Sequence, residues 1–145
     1  MNDEFIYAIG LMSGTSLDGL DVVYVKFDTK NLSSFKILST ETIEYSKSWQ
    51  QKLHNSINLT NDSIAILHHE YGVYLGEKTQ EFISKNNIIN LHFIASHGHT
   101  ALHQPEQGIT LQVGDGQQIS TATNCKVVSD FRIQDVQLGG QGAPL

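Results

Sequence analysis

The stretch GLMSGTSLDGLDVVYV, from Gly10 to Val25, constrains the fold more than any other part of the chain. Two apolar runs flank Ser13 to Gly19, a segment of small, hydroxyl and acidic residues. Asp18-Gly19 is a strong turn signal. The runs read as strands, Phe5–Met12 and Leu20–Phe27, and so short a join makes them antiparallel. The first is apolar on both sides, as a central strand is. The second carries the β-branched core Val22-Val23-Tyr24-Val25. FKILSTETIEY, with Phe35, Ile37 and Ile43 among its apolar positions, alternates as a third strand and completes a meander.

The rest of the chain adds helices and shorter strands. Ser46–Ser56 reads as a short helix. Between Asp62 and Asn86, Ile64, Leu67, Tyr71, Tyr74, Lys78 and Phe82 recur at helical spacing, and Thr60, Asn61 and Asp62 offer capping oxygens. Gly72 and Gly76 lie at i and i+4, where they either admit a close neighbour or are merely tolerated. LHFIAS, Leu91–Ser96, reads as a buried strand and HGHTALHQPEQG as a loop. ITLQVG, Asp115–Thr123 and Lys126–Ser129 read as strand, helix and strand, and the tail DFRIQDVQLGGQGAPL is left irregular. The order β-β-β-α-α-β-β-α-β predicts an α/β domain with a mixed sheet and helices packed on it.

Bulk properties narrow the function. The 145 residues suffice for one domain with a core. A net charge of −6 argues against nucleic acid as a partner. No apolar run reaches the roughly 20 residues of a membrane span, and the acidic MNDEFIYAIG start does not resemble a signal peptide. Cys125 is the only cysteine, so no internal disulfide forms, and it reads as a small, partly buried thiol.

The bend between the first two strands has the parts of a phosphate site. Amides in a glycine-containing turn can converge on an anion, Ser13, Thr15 and Ser16 add hydroxyls, and Asp18 can hold Mg²⁺. A Gly-Lys-Ser/Thr ending and a following helix are both missing, so this is no Walker loop. A plain hairpin turn is the competing reading. His97, His99 and His103 suggest a metal site if His-x-His lies on a strand, with Glu106 the nearest carboxylate. A polar loop is the alternative there. His54, His68, His69 and His92 show no partner pattern. Asp130 and Asp135 flank Arg132, and each suits either proton transfer or a turn and ion-pair role.

GLMSGTSLDGLDVVYV, ASHGHTALHQP, TLQVGDG and VVSDFRIQDVQLGGQGAPL occur in this order. Together they resemble the 1,6-anhydro-N-acetylmuramic acid kinases of the actin, hexokinase and sugar-kinase superfamily. The resemblance implies a ribonuclease-H-like α/β domain with a mixed five-stranded sheet. It implies that Gly14, Thr15, Ser16, Leu17, Asp18, Gly19, Leu20 and Asp21 cradle ATP, with Asp18 on the Mg²⁺ side. It makes His97, His99, Thr100 and Gln104 sugar contacts, although His99 stands where the family pattern has Gln. It favours Asp135 as the base that activates water, with Asp130 as the alternative. The implied reaction opens the anhydro ring with water and phosphorylates O6, in cytoplasmic recycling of the bacterial cell wall. Family members are more than twice as long. Residues 1–145 are therefore expected to be the N-terminal domain of a two-domain kinase, inactive alone, with a homodimer open to the full-length enzyme. A non-catalytic binding module that keeps the fold is the rival reading.

Overall fold

A computed structural model describes residues 4–142. Met1–Asp3, where the acidic start lies, and the final three residues of the GGQGAPL motif are outside the described residues. Strands β1 (Phe5–Ser13), β2 (Gly19–Asp28) and β3 (Asn31–Glu44) form the antiparallel meander. Helices α1 (Lys47–His54) and α2 (Asn61–Lys85) follow, separated by a 3-10 turn at Asn55–Asn58. Strand β4 (Phe93–Gln104) runs parallel to β1, and β5 (Ile109–Val113) turns back antiparallel on it. Helix α3 (Gly116–Thr123), strand β6 (Val127–Val128) and helix α4 (Phe131–Gln137) complete the chain.

The sheet order is β3-β2-β1-β4-β5, with β6 also paired to β4. Ile94 faces Ile9 on one edge and Val127 on the other, while His99 faces Ser13 and Val113. Strands β5 and β6 therefore share one edge of β4. Six strands give a sheet five strands across, the ribonuclease-H-like α/β arrangement, with β1 central as its two-sided apolarity predicts.

Alternation builds the core. Ile9, Leu11, Leu20, Val22 and Ile94 are buried with Tyr71, Leu75 and Phe82 of α2. Each such side chain contributes roughly 1.5–3 kcal/mol when fully buried. The α2 start is capped as predicted, the Ser63 amide donating to Thr60 Oγ1. Gly72 and Gly76 admit α3: a Cβ at Gly72 would lie 2.7 Å from the Asp115 backbone, and one at Gly76 2.9 Å from Ala122 Cβ. Lys78 sits at the stripe's edge, with its ammonium on Glu81 at 2.9 Å and 5.9 Å from the Tyr74 ring.

Several expectations need correction. The third strand begins at Asn31, four residues before Phe35, and Phe35 and Ile37 are exposed on it. HGHTALHQ is not a loop but the last two thirds of β4, paired to β5 from His99 onwards. The tail is not irregular at Phe131–Gln137, where it forms α4. That helix starts at Asp130 in a left-handed conformation, with no side-chain cap for the sequence to reveal. His68 and His92 do have partners: their Nδ1 atoms accept from the Gly114 and Tyr7 amides.

Candidate functional site

The site begins with a bulge. Leu11 pairs with Ser96 and Ser13 with His99, so β4 spends three residues where β1 spends two. Gly98 carries the extra residue at φ +69°, and a Cβ there would lie 2.5 Å from the Val113 carbonyl oxygen. Only glycine relieves both constraints. The bulge resets side-chain alternation. His99 turns inward to Ser13, whereas His97 and Thr100 both meet Arg132 of α4. The predicted pairing of the two rings for a metal fails for this reason: a bulge lies between them.

The inward side is a buried chain of hydroxyls. Tyr45 donates to Ser13 Oγ at 2.8 Å, and Tyr71 meets the Tyr45 hydroxyl. Ser13 Oγ lies 3.0 Å from His99 Nδ1. Because Tyr45 gives its proton to Ser13, Tyr71 donates to Tyr45, and the chain ends where Ser13 Oγ meets His99 Nδ1. Burial, with His97 nearby, pushes the His99 imidazole below the ordinary histidine value. Ser13 and His99 are each only 3% exposed, so this network braces the bend from below. His99 is not placed beside Thr100 on the outer surface.

The bend itself is open. Thr15, Ser16 and Asp18 are exposed, and no acceptor occurs among the described residues for the Thr15 and Ser16 amides. Its left-handed residue is Leu17, φ 57°, and neither Gly14 nor Gly19 has positive φ. The Leu17 amide donates to the Gly14 carbonyl at 3.2 Å, and its own carbonyl accepts from Gln50 Nε2 at 3.1 Å. Asp18 Oδ1 accepts from Ser16 Oγ at 2.6 Å and from the Gly19 amide at 3.1 Å. The Ser16 hydroxyl, followed by the backbone donors, holds the Asp18 carboxyl below its ordinary value, so it is ionised at neutral pH. Gly19 and Leu20 are buried. Asp21 instead accepts from Thr42 Oγ1 at 2.6 Å on the open face of the sheet. A cavity of about 490 Å³ on that face is lined by Gly10, Met12, Val23, Ala95, Phe131 and Asp21. It is mostly apolar and excludes the bend.

Ser16 and Leu17 open instead on a groove of about 450 Å³ that also takes in Lys47, Gln50 and His54. Sequence reading gave Lys47 no role. Its position just after the third strand could have drawn attention, but only the fold brings α1 beside the bend.

The outer side gathers the rest. Arg132 Nη1 donates to Thr100 Oγ1 at 2.8 Å and lies 3.3 Å from His97 Nε2. His97 Nδ1 lies 2.9 Å from the Gly98 carbonyl, which only accepts, so Nδ1 carries the proton and Nε2 accepts from Arg132. Burial lowers the His97 pKa, and the Arg132 charge adds to this against the Gly98 hydrogen bond. One turn after Arg132, the exposed Asp135 has Oδ2 bound by the Gly142 amide at 2.8 Å, and its carbonyl is bound by the Gly140 amide at 2.8 Å. The glycine-rich tail therefore folds back over Asp135. A Cβ at Gly140 would land on that carboxylate. Asp130 is exposed, starts α4, and forms no ion pair with Arg132. Gln104 ends β4, and the structure gives it no contact with this cluster. Burial pushes the Cys125 thiol up, which disfavours a nucleophile.

No helix among the described residues is long and apolar enough to cross a membrane. The sequence profile of the family described as anhydro-N-acetylmuramic acid kinase matches residues 6–145. Proteins of that name from Shewanella pealeana and Clostridioides difficile are 40% and 38% identical to the chain over 96% and 97% of its length. One from Bacillus thuringiensis subsp. konkukian is 32% identical over 97%. The chain spans about two fifths of the length of these curated relatives, 39–40% of each. With a match from β1 to the end of the described residues, the chain belongs to the anhydro-N-acetylmuramic acid kinase family.

Proposed function

We propose that the chain is the N-terminal domain of a two-domain kinase that phosphorylates 1,6-anhydro-N-acetylmuramic acid. The observation that supports this best is convergence. The Ser13–Gly19 bend follows the C-terminal end of β1, the bulge of β4 pairs with that same end of β1, and Arg132, one turn before Asp135, reaches His97 and Thr100 beside the bulge. Ligands of open α/β sheets bind at that end of the strands.

In this reading the exposed amides of Thr15 and Ser16 and the hydroxyl of Thr15 bind the ATP phosphates, and Lys47 adds positive charge along the same groove. The ionised, exposed Asp18 suits Mg²⁺, which when bound would neutralise phosphate charge. Gly14, Leu17, Gly19, Leu20 and Asp21 shape the bend and contribute no donor side chain to it. The buried Tyr71–Tyr45–Ser13–His99 chain fixes its base, so His99 acts by positioning.

Asp135 takes a proton from the water that attacks the anomeric carbon. The bond from that carbon to O6 breaks, and O6 receives the γ-phosphoryl group. The products are N-acetylmuramic acid 6-phosphate, ADP and the proton that Asp135 hands to solvent. The Gly142 amide fixes the orientation of the carboxylate. Asp130 has no such support. Gln104 remains a sugar contact only if the ligand reaches the end of β4. Cell-wall recycling in the cytoplasm follows from the substrate and belongs to the same proposal.

The test is a fusion of this chain to the remainder of the Shewanella pealeana relative, incubated with ATP, Mg²⁺ and the anhydro sugar. Phosphorylated sugar, detected by mass spectrometry and dependent on both substrates, is expected. A folded fusion that makes none, beside an active relative, would refute the reading and favour a non-catalytic module.

A further inference from the structure

Strands β1, β4 and β6 run parallel, and sheets built on parallel strands are covered on both faces. One face has its cover. Ile9, Leu11, Leu20, Val22 and Ile94 are buried there with Leu53 of α1, Tyr71, Leu75 and Phe82 of α2, and Ile119 of α3. The other face is apolar as well, and among the described residues α4 is the helix that lines it, through Phe131. Met12 on β1 is 44% exposed, Phe131 39%, and Val128, which pairs with Ala95, 48%.

The exposed residues border a groove. Gly10 pairs with Val23 on one side and Ala95 on the other, and these three form its floor. A Cβ at Gly10 would lie 3.1 Å from Val23 Cγ1, so the glycine keeps the floor low. Met12, Phe131, Thr40 and Thr42 bound the cavity of about 490 Å³ above it. Two acids line it. Glu41 is held by Lys85 at 3.0 Å. Asp21 accepts from the Thr42 hydroxyl at 2.6 Å, and no ion pair among the described residues neutralises it. No lysine or arginine lines the groove. A low apolar floor with a carboxylate at its rim fits an amphipathic helix whose polar edge carries a cation.

We propose that this groove is the docking site of such a helix, supplied by the part of the kinase that the longer relatives carry beyond the match. This chain spans 39% of the Shewanella pealeana and Clostridioides difficile relatives, which leaves most of each for further elements. Helices are the elements that cover parallel strands, because crossover connections lie on the sheet's faces. The inference rests on the two-domain part of the proposed function and not on its chemistry.

The test uses the fusion of this chain to the remainder of the Shewanella pealeana relative. Met12 is replaced by the photo-crosslinker benzoylphenylalanine, or Thr40 where the first variant does not fold, and mass spectrometry locates the captured peptide. Expected is capture, within one molecule, of a peptide from the remainder with apolar residues at helical spacing and a lysine or arginine among them. An irregular or acidic captured segment would overturn the helix. Capture of a second copy would make the face a dimer interface and overturn the proposal. Capture confined to residues of this chain, or no capture, would show the face open to water and overturn it equally. The readout is independent of turnover: an inactive fusion with the expected capture refutes the reaction and keeps the docking site, and an active fusion without it does the reverse. Met12→Lys adds a second measurement. It should lower the melting temperature of the fusion and leave that of the chain alone unchanged; equal effects on both would contradict a cover supplied by the remainder.

Discussion

The bulge at Gly98 sets His99 inward while His97 and Thr100 meet Arg132. The glycine's positive φ and its approach to Val113 leave no room for a Cβ. Gly98→Ala should lower stability by about 1–3 kcal/mol, read from urea unfolding. An unchanged midpoint would mean that β4 accommodates the bulge without strain. His99 makes a second claim testable at this scale. Its folded pKa lies below the ordinary 6.5, so the unfolded chain binds the proton more readily. Its contribution is therefore complete above about pH 6.5 and is lost as pH falls through the folded value. Unfolding at pH 7.5 and 5.5 should show a loss at the lower pH that is smaller in His99→Gln, because glutamine can meet Ser13 without titrating. Equal losses in the two proteins would remove His99 as a source. Neither role was legible in the sequence. The spacing His-x-His suggested one face, and nothing local announces a bulge whose reason is a carbonyl on another strand.

At the scale of elements, the α2–α3 contact sets two known effects against each other. Alanine at Gly72 would gain up to about 1 kcal/mol of helix propensity. The added methyl would also meet the Asp115 backbone at 2.7 Å, where no side chain can swing aside. Overpacking costs about 1–3 kcal/mol, so Gly72→Ala should destabilise the chain on balance, seen as a lower melting temperature. A higher one would show that the two helices separate easily. The meander and α2 were readable because their signals are local: alternation, β-branched runs, a Thr60 cap and a six-residue stripe. Strand β4 beyond Ser96 was not, because its polar residues look like loop until β5 pairs with them. Helix α4 was missed because it is short, uncapped and held by contacts, such as that of Arg132 with Thr100, made far along the chain. The bend was legible in its residue types but not its conformation, since Leu17 rather than a glycine takes the left-handed position.

For the molecule as a whole, the relatives are about two and a half times as long as the chain. On the proposed two-domain reading, the 145-residue chain alone should form no sugar phosphate in an end-point assay with ATP, Mg²⁺ and the anhydro sugar. Turnover by the chain alone would confine the whole site to one domain. The reading stands or falls on Asp135, which the tail glycines hold and which no cation pairs. The most direct measurement compares Asp135→Asn with Asp130→Asn in the fusion to the longer relative. Asp135→Asn should lower kcat by about 100-fold or more with ATP binding retained, while Asp130→Asn stays near the parent rate. An Asp135→Asn enzyme that turns over at the parent rate would contradict the account.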